Sequence, residues 1–139
     1  MYKLTKQQIQ DEILKCGKNP VYFINTYTKI SHPQRGPIPF RMYPFQEAAI
    51  KDIQDHRFNI ILKARQLGLS TVVAGYVAWL MLFHRDKNVL VLATKLLSAS
   101  NLVRKVKYII KKPTRLLFYS RQYILLLQGE MISRTSNRP

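Results

Sequence analysis

Hydrophobic and polar positions alternate with helical spacing over much of this chain. Apolar residues recur every three or four positions within residues 5–16, 19–30, 45–56 and 99–112, and this spacing predicts amphipathic helices. Thr5 and Gln8 form a capping-box pair, Asn19-Pro20 is an N-cap followed by a first-turn proline, and Ser98 is a candidate cap for the last helix. Gly17 is a candidate residue for the position after the first helix.

Residues 70–84 are almost continuously apolar and contain the segment VVAGYVAWLMLF. The apolar run is about half as long as a bilayer-spanning helix requires. We therefore expect a buried core helix rather than a membrane segment. The polar N-terminus gives no sign of a secretion signal.

Two short apolar runs, at residues 58–64 and 89–93, predict strands, and the second is continuously apolar, which is typical of a strand buried on both faces. Each precedes a predicted helix, so the order strand, helix, strand, helix predicts an α/β fold with a parallel sheet and helices on both faces. Prolines and glycine crowd residues 31–44, which predicts an extended connector without a helix. We divide the chain into N-terminal helices and connector (1–44), an α/β region (45–112), and a tail without clear periodicity (113–139).

Charge and cysteine content narrow the functional classes. Lys and Arg number 23 against 7 Asp and Glu, giving a net charge of +16, which favours a polyanionic partner such as nucleic acid over mere solubility. Cys16 is the only cysteine, so the chain has no internal disulfide and fits a reducing compartment. His32, His56 and His84 are scattered, and with one cysteine they do not indicate a metal site of the Cys/His type.

The segment FNIILKARQLGLST, residues 58–71, has the layout of a phosphate-binding loop. An apolar run ends at Ala64, Gly68 follows in the loop, and Ser70-Thr71 opens the apolar helix. Such a loop directs backbone N–H groups and a helix N-terminus at an anion. It departs from the usual pattern G-x-x-x-x-G-K-[ST], because Leu69 stands at the lysine position and Lys63 at the first glycine.

Three segments in order resemble the ATPase domain of the large terminase subunit of tailed, T4-like phages. FRMYPFQ (40–46) resembles the adenine-recognition segment, ARQLGLST (64–71) is similar to the arginine-containing phosphate loop, and NVLVLATK (88–95) looks like the next core strand and its loop. The resemblance spans residues 19–112. It implies a P-loop NTPase fold preceded by N-terminal helices.

The resemblance also implies that the site binds ATP and Mg²⁺. Arg65 is the candidate catalytic cation, with Lys63 as second choice, because a guanidinium grips phosphate with two hydrogen bonds. Ser70 would offer its hydroxyl to Mg²⁺. Gln46 would bind the adenine edge, with Phe45 or Tyr43 stacking on the base. The full set of candidate nucleotide-binding residues is Phe45, Gln46, Lys63, Gln66, Leu67, Gly68, Leu69, Ser70 and Thr71.

A protein of this family is a motor that packages double-stranded viral DNA into procapsids. The implied partners are double-stranded DNA, a portal protein and a small terminase subunit, with an oligomer on the portal for the full-length protein and no membrane. The implied location is the cytoplasm of the infected bacterial host.

Parts of such a motor have no counterpart in this sequence. No Asp-Glu pair follows the loop, and the family's clustered nuclease carboxylates are absent. We therefore expect a fragment that binds nucleotide weakly and is inactive alone. One hypothesis for the tail at 113–139 is a change of reading frame near residue 112 or 113.

Two other functions fit the same residues. A helicase-like ATPase shares the glutamine segment and phosphate loop. A non-enzymatic, basic nucleic-acid-binding protein would use Gly68 only as a turn residue.

Overall fold

A computed structural model describes residues 5–32 and 34–111 of the chain. These residues form five helices and one antiparallel hairpin. The helices are α1 (Lys6–Lys18), α2 (Pro20–Tyr27), α3 (Pro44–Asp55), α4 (Leu69–Phe83) and α5 (Leu96–Lys111). The hairpin consists of β1 (Lys29–His32) and β2 (Gly36–Pro39).

The predicted starts of the first two helices are confirmed. The Thr5 hydroxyl accepts a hydrogen bond from the Gln8 N–H at 3.4 Å, and Gln8 Oε1 accepts one from the Thr5 N–H at 2.9 Å. Asn19 Oδ1 accepts from the Tyr22 N–H at 2.9 Å, with Pro20 in the first turn. The end of α1 was predicted too early, because the Asn19 N–H still bonds the Lys15 carbonyl and Gly17 remains helical.

The hairpin was missed by the sequence analysis, which extended the second helix to residue 30 and made residues 31–44 an extended connector. Instead, Ile30 pairs with Ile38 and His32 with Gly36. Pro37 and Pro39 are two residues apart, so both lack an N–H on the same edge of β2. That edge faces away from β1, because N–H groups alternate in direction along a strand and the N–H of Phe40, the next residue, donates to the Thr28 carbonyl at 2.9 Å.

Helix α4 lies between two hydrophobic clusters. One joins it to α1, α2 and α3, and its buried members are Cys16, Phe23, Ile24, Met42, Ile50, Val72 and Trp79. The other joins it to α5 and consists of Ala74, Val77, Ala78, Val106 and Ile109. Burial on both sides explains why α4 is apolar nearly all round, and the prediction of a buried core helix is confirmed. None of the described helices combines the length and apolarity needed to cross a bilayer.

Two helices differ in detail from their predicted form. Helix α3 lies one residue earlier than the predicted range 45–56, and its buried residues are Gln46 and Ile50. Helix α5 begins three residues earlier than predicted, because the Lys95 carbonyl accepts from the N–H groups of Ser98 and Ala99. Ser98 therefore lies in the first turn instead of capping it.

The predicted parallel sheet is absent from the described residues. Segments 58–64 and 89–93 have no strand pairing there, and Ile60, Leu62 and Leu90 are largely exposed. An extended segment becomes a strand only when a neighbour satisfies its N–H and C=O groups. The hairpin is the only sheet among these residues, so the observed class is helices with a small antiparallel sheet. The tail and its proposed frame change lie outside the described residues.

A carboxylate links α1 to α2. Glu12 Oε1 accepts hydrogen bonds from the Tyr22 and Tyr27 hydroxyls, each at 2.6 Å. Burial alone would raise the pKa of Glu12, but the two hydroxyls and nearby Lys15 together lower it. The ionised form of Glu12 is thus the one that the folded protein stabilises.

Replacing Glu12 tests this link. A lowered pKa contributes stability above the unfolded-state value near 4.5, and this stability is lost as pH falls through the folded-state value. We expect Glu12→Gln to lower the free energy of unfolding by about 1 kcal/mol at pH 7, because Glu12 is partly exposed, and by less at pH 3. Urea denaturation at both pH values measures this, with Asp11→Asn on the exposed side of α1 as the control. An equal loss for Glu12→Gln at both pH values would contradict the prediction.

Replacing Trp79 tests the contact between α1 and α4. Its Nε1–H donates to the Cys16 carbonyl at 2.8 Å in a buried position. Trp79→Phe keeps most of the ring contacts but leaves that carbonyl without its side-chain donor, so we expect a loss of about 1–3 kcal/mol in unfolding free energy. Tyr76→Phe on the same helix is the control and should change it by less than about 0.5 kcal/mol. Equal urea midpoints for the two variants would rule out a specific role for the indole N–H.

Candidate phosphate-binding loop

The loop between residue 64 and α4 contains two left-handed residues. Gln66 has φ of 64° and Gly68 has φ of 70°. The left-handed region costs a non-glycine residue free energy, and such strain concentrates at functional sites. Turns of this kind direct backbone N–H groups toward one side, where an anion can bind.

The start of α4 offers donors at the end of this loop. The Gly68 carbonyl accepts from the N–H groups of Thr71 and Val72, at 2.8 and 3.2 Å. The N–H groups of Leu69 and Ser70 have no acceptor among the described residues. The positive end of the helix dipole adds to these donors.

The side chains at the start of α4 point in different directions. Leu69 is buried, with 7% of its surface exposed, so the residue at the usual lysine position is part of the interior. Ser70 is exposed and Thr71 partly so. The structure therefore leaves the Ser70 hydroxyl accessible, as the predicted Mg²⁺ contact requires.

Gln46 is the side chain that holds the loop against α3. It is buried, with 1% of its surface exposed. Its Oε1 accepts from the Tyr43 N–H at 3.0 Å, and its Nε2 donates to the Leu67 carbonyl at 2.8 Å. Both ends of the amide thus contact backbone, and the role of Gln46 toward adenine stays a prediction.

Two aromatic side chains lie beside Gln46. Tyr43 and Phe45 stack on one another, with ring centroids 5.9 Å apart and planes within 6°, and both are exposed. Because Gln46 joins this end of α3 to the loop, the aromatic pair lies on the same element that contacts the candidate phosphate site. The predicted stacking residues are therefore accessible to a ligand.

The two candidate cations of the loop differ in their contacts. Lys63 Nζ donates to the carbonyl of its own neighbour, Ala64, at 3.3 Å. Arg65 is exposed and makes no hydrogen bond within the described residues. Of the two, Arg65 is the one left free for a ligand.

One cation near the loop was missed as a site residue. Lys105 of α5 donates from Nζ to Thr71 Oγ1 at 3.3 Å. The basic character of α5 was visible in the sequence, but nothing in it indicated which turn of α5 approaches the loop. That approach depends on the packing of α4 against α5.

The buried thiol has no part in this site. Burial, together with the Glu12 carboxylate, raises the pKa of Cys16 to about 12, so the thiol is protonated at neutral pH. The described residues contain no group of three or more His, Cys, Asp or Glu side chains placed to hold a metal ion.

A comparison of the sequence with protein-family models gave no match. The assignment of a function therefore depends on the loop and its surroundings.

Gly68 and Gly36 form a matched pair for testing the loop. Both have positive φ, at 70° and 68°. A Cβ at Gly68 would lie 3.0 Å from Gln46 Nε2, whereas one at Gly36 would meet nothing within 4 Å. We expect Gly36→Ala to cost about 1 kcal/mol through backbone strain alone and Gly68→Ala to cost about 1 kcal/mol more.

Thermal or urea unfolding of both variants measures the difference. The extra cost at Gly68 would report the contact between the loop and Gln46. Equal losses at the two glycines would show that this contact does not constrain the loop.

Proposed function

We propose that residues 45–112 are the front part of a P-loop ATPase domain and that the loop at 64–71 binds the phosphates of ATP with Mg²⁺. The observation that carries the proposal is the loop itself. Left-handed Gln66 and Gly68 precede a helix whose first N–H groups have no acceptor within the described residues, and the accessible groups of Arg65 and Ser70 flank them. This combination suits a phosphate group bound by backbone donors, a guanidinium and a metal-binding hydroxyl.

The base would lie toward α3. The exposed pair of Tyr43 and Phe45 offers a flat aromatic surface, and the buried Gln46 amide ties that surface to the loop. Binding of the base would thus be coupled to the position of the phosphate site. In this arrangement Gln46 positions the loop whether or not it also contacts adenine.

The finer fold that we propose is a parallel sheet containing residues 58–64 and 89–93. Both segments are apolar and lie outside the helices, and their exposure leaves their backbone groups available for pairing with another strand. Such a strand would come from outside the described residues. A sheet of this kind would place the loop at a carboxyl end of a strand, where α/β folds bind ligands.

The parent activity that we infer from the resemblance is that of a terminase large subunit. It would couple ATP hydrolysis to packaging of double-stranded DNA in the cytoplasm of an infected bacterium, together with a portal and a small subunit. The net charge of +16 supports a nucleic-acid partner. The missing Asp-Glu pair supports binding without useful turnover in this chain.

The second candidate function is a basic nucleic-acid-binding protein that does not bind nucleotide. The same charge favours it, and Gly68 would then serve only the turn. A nucleotide-binding measurement separates the two functions, because the alternative requires none.

Titration calorimetry with Mg-ATP tests the proposal. We expect the wild-type chain to bind weakly and Arg65→Ala to bind at least about tenfold more weakly, because a charged hydrogen-bond partner of the phosphates is lost. Arg85→Ala, an exposed arginine in the turn after α4, removes the same charge away from the loop and should bind like wild type.

Ser70→Ala provides a second arm of the experiment. We expect it to reduce the gain in affinity that Mg²⁺ gives to ATP, with little effect on binding measured in EDTA. Absence of ATP binding by the wild-type chain, or equal losses for Arg65→Ala and Arg85→Ala, would overturn the proposal.

A further inference from the structure

A basic cleft lies between the hairpin and α5. Its volume is about 590 Å³, within the range of ligand pockets. One wall comes from β1, the other from α5, and the first turn of α4 reaches its edge. The residues that line it include Lys29, Ser31, Thr71, Arg104, Lys105 and Tyr108.

The cleft combines three cationic side chains with an apolar part of the lining that comes from Ile30 and Ile109. Lys29 approaches from β1, and Arg104 and Lys105 approach from α5. None of the lining residues carries a carboxylate, so nothing in the lining neutralises the three cations. Like charges gathered in one concavity repel each other, and an anion removes that cost.

The uncharged polar residues of the lining also fit a phosphodiester. The side chains of Ser31, Thr71 and Asn101 supply hydrogen-bonding groups without charge. Tyr108 adds a partly buried ring beside them. Contacts to nucleic-acid phosphates come mainly from Arg, Lys and side chains of this polar type.

We propose that this cleft binds the backbone phosphates of nucleic acid. Arg104 and Lys29 would contact phosphate oxygens directly. Lys105 already donates to Thr71 Oγ1 at 3.3 Å, so it would bridge the bound phosphate and the first turn of α4. The inference rests on the nucleic-acid partner of the proposed function and does not depend on ATP binding.

Helix α5 offers charge-matched controls. Arg104 and Lys105 line the cleft, whereas Lys107 and Lys111 are exposed on the same helix and do not line it. Each alanine variant removes one positive charge. A difference between the pairs therefore reports position, not net charge. Arg104 makes no hydrogen bond within the described residues, so its loss should leave the fold intact.

Fluorescence anisotropy with a short labelled DNA duplex tests the cleft over a range of salt concentrations. We expect Arg104→Ala and Lys105→Ala to bind about fivefold more weakly at low salt and to lower the slope of log affinity against log salt by about 1 each. Lys107→Ala and Lys111→Ala should stay close to wild type. Equal losses in both pairs would overturn the cleft as a site, as would a wild-type chain that does not bind DNA.

Two additional measurements separate the ligand sources and the two proposals. Inorganic tripolyphosphate at concentrations matching the DNA phosphates should compete poorly; complete displacement would show that the cleft takes free polyphosphate instead. Calorimetry with Mg-ATP on Arg104→Ala should give the wild-type affinity. A wild-type chain that binds DNA but does not bind Mg-ATP would refute the nucleotide site and leave the cleft proposal standing.

Discussion

Burial of α4 on both sides is the constraint on which the rest of the described structure depends. The N-terminal helices cover one side, and α5 covers the other. Gly75 permits close approach on the first side, since a Cβ there would lie 3.1 Å from Ile24 Cγ1. Because hydrophobic burial is the dominant favourable term in folding, these two contacts fix where the first turn of α4 lies.

The position of that first turn determines what surrounds the loop. Gln46 of α3 donates a hydrogen bond to the Leu67 carbonyl in the loop, and Lys105 of α5 donates one to the Thr71 hydroxyl in the first turn of α4. The loop thus lies where two helices from opposite sides of α4 converge. A buried amide that is satisfied at both ends is costly to disrupt, so the α3 contact is the more rigid of the two.

Leu69 stands where phosphate-binding loops of the usual pattern have a lysine, and its side chain is buried. Positive charge near the loop is carried instead by Arg65 and by Lys105 on α5. An arginine in the loop and a lysine from a neighbouring helix differ in kind, because one is planar and bidentate and the other is a compact point charge. The proposed phosphate site and the proposed nucleic-acid cleft therefore meet at the first turn of α4 without sharing their main cation.

The sequence by itself determined the features that arise from neighbouring residues. Thr5 with Gln8 and Asn19 with Pro20 marked helix starts, and continuous apolarity marked α4 as a core helix. These signals are local, because a cap or an apolar face needs only residues within a few positions along the chain. The sequence also located the loop around Gly68 correctly between residue 64 and α4.

Tertiary structure alone decided the pairings between distant parts of the chain. The hairpin was not predicted because its prolines suggested an extended connector, and only the partner strand reveals that their missing N–H groups face outward. Residues 58–64 and 89–93 have the composition of strands, yet they have no pairing in the described chain, because strand hydrogen bonds require a neighbour that composition does not supply. The cleft likewise exists only because α5 packs beside β1, which brings Lys29 next to side chains far from it in sequence.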